Sequence, residues 1–214
     1  MTEVKTRRYR SQRRQENAGE TRRRILASAR KLIVAKGFGG ATIEAIAKDA
    51  GVAVQTVYAA FGSKRGILLE LHEHMAAEAD LTKLQAALVA AEGDPHRQLR
   101  ERIAFNVRYY ARGSDLIEAA RSASGADAGL GEMWKRGEAR RYSRFSELVE
   151  KWSADGSLSP GVSAREATDI WWALASPDMY RLLVVQRRWS RKRFARWLFD
   201  TLAPVLFGSD PKRG

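Results

Sequence analysis

The stretch that decides the fold is residues 37–58, which reads Gly-Phe-Gly-Gly-Ala-Thr-Ile-Glu-Ala-Ile-Ala-Lys-Asp-Ala-Gly-Val-Ala-Val-Gln-Thr-Val-Tyr. Ala47 is small enough to let two short helices approach each other closely, and Gly51, four residues later, suits the tight turn between them. Val52 and Val57 are placed to close the core behind that turn. The pattern predicts a helix-turn-helix.

The outer face of the second helix carries short and medium side chains that can reach base edges and phosphates. With Val57 directed inward, the residues left on this face are Val54, Gln55, Thr56 and Tyr58. Such a face fits the major groove of DNA.

The flanking segments supply helix signals that frame this motif. Apolar residues recur at helical spacing from Glu20 to Lys36, and Gly37 stands where a C-terminal cap needs a positive φ. Thr42 is an N-cap candidate, and Ser63 is placed to cap a further helix that begins at Lys64. Because eight or so residues do not hold a helix by propensity alone, the short helices must depend on packing against their longer neighbours.

This block resembles the N-terminal domain of the tetracycline-repressor (TetR) family of bacterial transcription regulators, over about residues 20–70. The resemblance rests on one continuous pattern: a Gly-Phe pair, a capping Thr, Ile-Ala, Ala-Gly-Val, Val-Tyr, Phe and Ser-Lys. It implies about nine helices, of which three bind DNA and the others bind a ligand and dimerise. It also implies a homodimeric repressor that leaves a palindromic operator when a small molecule binds.

The resemblance assigns roles to individual positions of this sequence. Thr42 would cap the second helix and contact a phosphate, and Tyr58 and Lys64 would also contact the DNA backbone. The residues that would face bases are Val54, Gln55 and Thr56. The sequence departs from the family pattern at Ala53, where a Ser often caps the third helix, at Ala59 and Ala60, and at Arg65, so no operator sequence can be carried over.

Positive charge is concentrated at the N-terminal end. The chain of 214 residues has a formal net charge of +13, and residues 1–66 hold 15 basic against 5 acidic residues. We expect a basic flexible arm over residues 1–19, because it has too few apolar residues to fold alone. By itself such a run is either a solubilising tail or an arm that follows phosphates.

The remaining residues predict an all-α fold, since no alternating strand pattern is present. The expected domains are a helix-turn-helix domain over 20–66, a helical effector-binding and dimerisation domain over 67–208, and a tail over 209–214. Two heavily apolar helices, from Ser163 to about Arg187 and from Ser190 to Phe207, are expected to pack against their symmetry mates in a homodimer. The alternative is that they only cover the monomer's own core.

Candidates for an effector pocket are aromatic residues on helices around the centre of this domain: Phe105, Tyr109, Trp134 and Trp172. If a pocket exists, these rings imply an apolar or aromatic effector, although each is also a common core residue. A basic cluster from Arg187 to Arg196 is interpreted as a solvated rim, with an anionic effector or a second DNA contact as alternatives.

Other classes of protein are disfavoured by the absence of their motifs. The chain has no Cys, no His-Glu-x-x-His and none of the glycine-rich or nucleophile-elbow patterns of nucleotide-binding proteins and hydrolases. We therefore expect no enzyme, metal or cofactor, and a cytoplasmic protein without a membrane span. The remaining alternative is a helical DNA-binding protein without a small-molecule ligand, either architectural or controlled by another protein.

Overall fold

The computed structural model describes residues 2–208, with side chains described from residue 16 onward. Helices account for most of this part of the chain, and no strand occurs in it. The elements are α1 (Thr2–Gly40), α2 (Ile43–Ala50), α3 (Val54–Phe61), α4 (Lys64–Glu78), α5 (Leu81–Ala90), α6 (Pro95–Ala123), α7 (Ala128–Ala154), α8 (Ala164–Leu174), α9 (Pro177–Tyr180), a π-helical segment (Arg181–Gln186) and α10 (Arg191–Phe207). The all-α prediction is confirmed.

The chain forms two compact units. The first contains the residues up to His74 together with Glu118–Leu130, and the second contains Met75–Ile117 together with the residues from Gly131 onward. The sequence placed the boundary after residue 66. The first unit extends further because the beginning of α4 belongs to its core, where Ile67 and Leu68 are fully buried.

The helix α1 begins much earlier than the sequence suggested. Its backbone is helical from Thr2, where we expected a flexible arm to residue 19. Residues 2–18 contain neither Pro nor Gly and are rich in Arg, Gln and Glu, which extend a helix readily once it has been nucleated. The side chains of residues 2–15, including the arginines expected to contact phosphates, lie outside the described residues.

Other helix boundaries agree with the sequence or differ from it for identifiable reasons. Gly37 has φ 71° and ψ 168°, which interrupts α1 at the predicted cap. The helix expected from Ser163 to Arg187 is wrong as a single element, because Pro177 lacks an N–H and disfavours helical backbone in the residue before it. Ser176 is extended there, and its side chain caps α9 by accepting from the Met179 N–H.

A column of aromatic rings forms part of the core of the second unit. Phe145 and Trp171 stack with ring centroids 4.4 Å apart and an interplanar angle of 1°. Trp152 also stacks on Trp171, with centroids 5.4 Å apart and an interplanar angle of 15°, and all three side chains are buried. Their rings join α7 to α8, since Phe145 and Trp152 lie on α7 and Trp171 lies on α8.

Gly113 and Gly137 offer a matched test of packing in this unit. A β-carbon at Gly113, in α6, would overlap the Sδ and Cε atoms of Met75, which is only 2% exposed, whereas one at Gly137, in α7, would meet nothing. We expect Gly113→Ala to lower the free energy of unfolding by about 1–3 kcal/mol through overpacking. We expect Gly137→Ala to raise it by roughly 0.5–1 kcal/mol through helix propensity. Urea unfolding followed by circular dichroism measures both, and equal effects would contradict close packing of Met75 against α6.

Candidate nucleic-acid interface

The turn between α2 and α3 has the geometry that the sequence predicted. Thr42 is extended, and its Oγ1 accepts from the Ala45 N–H at 3.1 Å, which caps the start of α2. Gly51 ends α2 in the left-handed region, with φ 64° and ψ 42°, and Val52 N–H donates to the Ala47 carbonyl at 3.0 Å. A residue with a β-carbon would be strained at Gly51 and would also collide with the Arg24 guanidinium.

Polar contacts fix α2 against α1. The Asp49 carboxylate accepts from Lys31 Nζ at 2.7 Å and from Ser28 Oγ at 2.6 Å. These two hydrogen bonds, from Lys31 first and then from Ser28, hold the pKa of Asp49 below its usual range. Arg24 donates to the carbonyl groups of Ala50 and Gly51, so that an α1 side chain satisfies the C-terminal end of α2.

Arg22 connects three helices at once. From α1, its guanidinium forms a bidentate ion pair with Glu70 on α4 and donates to the Ala60 carbonyl of α3 at 2.8 Å. The same group lies over the Phe61 ring, 4.4 Å from the centroid. The hydrogen bond to Glu70 raises the pKa of Arg22 above its ordinary value. We call these four residues, Arg22, Ala60, Phe61 and Glu70, the Arg22 clamp.

The clamp leaves a defined face of α3 exposed. Val57 is 1% exposed and anchors the helix, whereas Tyr58 is 48% exposed and Gln55 is also exposed. Val54 and Thr56 are half-buried at the edges of this face. Gln55 and Tyr58 lie three residues apart, which places them on one side of the helix. Of the four α3 residues predicted to face DNA, Gln55 and Tyr58 therefore share one exposed side of the helix, and Val54 and Thr56 are less accessible.

The starts of α3 and α4 differ in how they are capped. Ala53 makes no side-chain cap bond at the start of α3, as expected from its departure from the family pattern. Ser63 Oγ accepts from the Gly66 N–H at 3.1 Å and caps α4, as predicted.

Lys64 is half-buried and contacts the end of α1. Its Nζ atom lies 2.6 Å from the Phe38 carbonyl oxygen and 4.4 Å from the centre of the Phe38 ring. Burial lowers the pKa of Lys64, although Asp127 and Glu44 oppose that effect.

Of the four predicted effector residues, only Phe105 and Tyr109 form a ring pair with each other. Phe105 and Tyr109 stack with centroids 6.3 Å apart and pack against the cluster of Ala79 and Leu84. Trp172 instead contacts the Tyr142 ring at 6.3 Å and lies beneath the Arg141 guanidinium. Trp134 is partly buried and belongs to none of the ring pairs found in the described part of the chain.

Two polar residues that sequence reasoning missed lie beside Phe105. Arg102 and Asn106 are 7% and 8% exposed, and each has a buried side-chain nitrogen without a hydrogen-bond partner on the protein. A signal was present in the sequence, because Leu99, Arg102 and Asn106 repeat at helical spacing and so share the buried face of α6. A cation and an amide on an apolar stripe are unusual and call for a ligand or a structural partner.

Metal-binding and membrane-spanning features are missing from the described part of the chain. Residues 16–208 contain no group of three or more His, Asp or Glu side chains positioned to hold a metal ion. None of the helices within residues 2–208 is both long enough and apolar enough to cross a membrane.

Comparison with known proteins gives matches to regulators. The sequence profile of the "Bacterial regulatory proteins, tetR family" matches residues 25–71. The HTH-type transcriptional repressor NicS of Pseudomonas putida is 34% identical over 104 residues, which cover 49% of this chain and 48% of that protein. The HTH-type transcriptional regulator EthR of Mycolicibacterium smegmatis is 28% identical over 130 residues, which cover 61% and 54%. The matched region thus spans about half the length of these curated relatives.

A solved structure extends the likeness to the fold of the second unit. A putative TetR-family transcriptional regulator from Syntrophomonas wolfei superposes with a TM-score of 0.72 at 20% identity, covering 87% of this chain and 95% of that one. At this identity the superposition bears on the fold alone. The profile match and the geometry of the caps and turn together identify residues 25–71 as a helix-turn-helix domain of the type found in the tetR family of bacterial regulatory proteins.

Proposed function

We propose that the protein is a homodimeric, ligand-responsive repressor that binds a palindromic DNA operator in the cytoplasm. The observation that carries the proposal is the face of α3, where Gln55 and Tyr58 are exposed on a helix fixed at both ends by the Arg22 clamp and the Gly51 turn. A recognition helix must present such side chains without moving itself, because misplaced side chains lose base contacts. The name of NicS, a transcriptional repressor, supports the direction of regulation.

In the proposed mechanism each residue has a distinct role. Gln55 reads a base edge in the major groove, and Val54 and Thr56 contact bases or methyl groups beside it. Tyr58 donates its hydroxyl to a phosphate, and the capped end of α2 at Thr42 approaches the same backbone. Lys64 adds positive charge, although its bond to the Phe38 carbonyl means that it also holds α4 against the end of α1.

A dimer is needed because one recognition helix reads too few base pairs for specific binding. Two copies related by a two-fold axis would present their α3 helices one helical turn of DNA apart, about 34–36 Å, and so would read a palindrome. The exposed apolar side chains Leu182, Val185 and Val205, which are 41%, 53% and 39% exposed, support an interface on the π-helical segment and α10.

Ligand response completes the proposal. An effector lowers operator affinity only if it binds more tightly to the conformation that fits DNA poorly. We place the effector in the second unit, near Phe105 and Tyr109, whose stacked rings offer an apolar surface. A protein without an effector would release DNA only through salt or competition.

The bases and phosphates that we propose α3 reads can be tested with DNA selection and point variants. Selection from a randomised DNA pool with the purified protein should recover a two-fold symmetric motif. Gln55→Ala should change the preferred bases within each half-site, since it removes a side chain that contacts a base edge. Tyr58→Phe should lower affinity about tenfold or more for every sequence alike, since it removes a hydrogen bond to a charged phosphate.

The matched control for Tyr58→Phe is Tyr142→Phe, which also removes an exposed hydroxyl, one that donates to Asp169 at 2.9 Å in the second unit. It should leave DNA affinity unchanged. Lys64→Ala is a poorer probe, because it also removes the contacts to Phe38. Recovery of no motif, despite tight binding at low salt, would instead favour an architectural DNA-binding protein.

The second prediction concerns the basic N-terminal segment. We propose that its arginines contact phosphates and add affinity that does not depend on sequence. Deletion of residues 1–17 should then reduce the slope of log affinity against log salt by roughly one for each phosphate that the shortened chain no longer neutralises. Fluorescence anisotropy with a labelled operator, measured over a range of salt concentrations, gives this slope. An unchanged slope would identify the segment as a solubilising tail.

The third prediction concerns the dimer. Val185→Glu should weaken self-association by more than about 100-fold, because the two-fold axis would bury two unpaired carboxylates. Val89→Glu is the control, since Val89 on α5 is 73% exposed and lies outside the proposed interface. Sedimentation equilibrium measures both dissociation constants. If both variants dimerise like the original chain, the interface lies elsewhere.

A further inference from the structure

Arg102 is a buried cation without an acidic partner. Its side chain lies on the inner face of α6 at 7% exposure, and its Nε atom has no hydrogen-bond partner on the protein. No acidic side chain of residues 16–208 forms an ion pair with its guanidinium. A buried charge of this kind is costly unless something pairs with it, and buried arginines are ordinarily paired with carboxylates.

Burial and a neighbouring positive charge both disfavour the charged form of Arg102. Burial lowers the pKa of Arg102 to about 10, and the neighbouring guanidinium of Arg144 acts in the same direction. At neutral pH the group nevertheless stays charged. Glu147 acts in the opposite sense but only from beyond ion-pair distance, and its Oε1 atom accepts from Ser143 at 3.1 Å.

Asn106 adds a second donor one turn along the same helix. It is 8% exposed, and its Nδ2 atom is also buried without a partner on the protein. Residues four apart on an α-helix have neighbouring side chains, so the Asn106 amide and the Arg102 guanidinium lie on the same side of α6. The unpartnered N–H donors at Arg102 Nε and Asn106 Nδ2, the first of them on a charged group, match the acceptor oxygens of a carboxylate.

Apolar surface begins directly beside these donors. The Arg102 guanidinium lies 5.4 Å from the centroid of the Phe145 ring and 5.9 Å from that of Phe105. Phe105 belongs to a buried cluster with Ala79 and Leu84, against which Leu81, Leu88 and Tyr109 pack. A molecule that used the donors at one end would therefore meet aromatic and aliphatic side chains along the rest of its length.

We propose that Arg102 and Asn106 bind the carboxylate of an amphipathic organic acid whose apolar or aromatic body packs against Phe105 and Tyr109. This inference rests on the proposed ligand-responsive function and names the chemical class of its effector. It extends the sequence-based expectation of an apolar or aromatic effector, because the buried cation adds the requirement for an anionic end. Neutral apolar compounds of the same size would leave the guanidinium unpaired and would bind more weakly.

The test compares acids with their neutral amides on the full-length protein. Thermal unfolding is measured with 4-phenylbutyrate against 4-phenylbutanamide, and with octanoate against octanamide, at equal concentrations. At least one acid should raise the melting temperature by roughly 3–8 °C when it is present far above its Kd, and its amide should raise it much less. Arg102→Met should weaken binding of that acid about 10- to 100-fold.

Arg97→Met is the matched control, because Arg97 lies on the same helix but is exposed. It should keep the full response to the acid. Without any probe, Arg102→Met should melt at the same or a higher temperature than the original chain, because methionine fills similar space without a buried charge. A strong loss of stability, or failure to fold, would show that the guanidinium is already satisfied within the protein and would overturn the inference.

DNA affinity separates this inference from the proposed function. Arg102→Met without a probe should bind the selected operator as tightly as the original chain, and the acid should reduce operator affinity only when Arg102 is present. Operator binding by a chain that distinguishes no acid from its amide would refute the effector class and leave the regulator intact. Acid binding by a chain that binds no operator would refute the regulator and leave the carboxylate site intact.

Discussion

The Arg22 clamp is the interaction on which the DNA-binding unit depends. An eight-residue helix such as α3 is unstable alone, so its position must come from contacts at its ends and on its buried side. Val57 supplies the buried contact, and the clamp fixes the C-terminal end through the Ala60 carbonyl and the Phe61 ring. The planar guanidinium can meet a carboxylate, a carbonyl and a ring at the same time, which an ammonium group does less well.

The value of this clamp lies in geometry more than in energy. The Arg22 side chain remains 43% exposed, and partly exposed ion pairs contribute little to stability after screening by water. What the contact does provide is a defined distance between α1, α3 and α4. Together with the Asp49 contacts to Ser28 and Lys31, it makes the helix-turn-helix a rigid support for the side chains that we propose contact DNA.

The DNA-binding motif could be predicted because its determinants are local. Thr42, Gly51 and Ser63 each act within four residues of their own position, and all three do what their residue types predict. The roles of Arg22 and Arg24 could not be predicted in this way. A guanidinium binds phosphates, carboxylates and carbonyl groups alike, so a run of arginines does not reveal which of them hold the fold and which remain for DNA. Pro177 is a local signal for a helix break, but the apolar pattern continues on both sides of it and favoured one long helix.

The second unit was less predictable because its determinants are distant in sequence. Aromatic residue types gave Phe105, Tyr109, Trp134 and Trp172 as candidates, but only the first two meet, since ring contacts depend on how α6, α7 and α8 pack. Arg102 was not among the candidate residues, for a different reason. Arginine is usually a surface residue, so the residue type gives no sign of burial, whereas its helical register with Leu99 and Asn106 places Arg102 on the buried face of α6.

The two arginine-based sites use the same side chain under opposite conditions. The proposed contacts between the basic N-terminal segment and DNA phosphates would be screened by salt and would gain affinity from counterion release, so they would weaken steeply as salt concentration rises. Arg102 is only 7% exposed, so salt would screen the proposed ion pair weakly, and that one ion pair would distinguish an acid from its neutral analogue. Salt would therefore act mainly on the affinity for DNA, and the identity of the acid mainly on the occupancy of the second unit. A regulator of the proposed kind would hold its operator through many individually weak charge contacts and would respond to its effector through one buried charge.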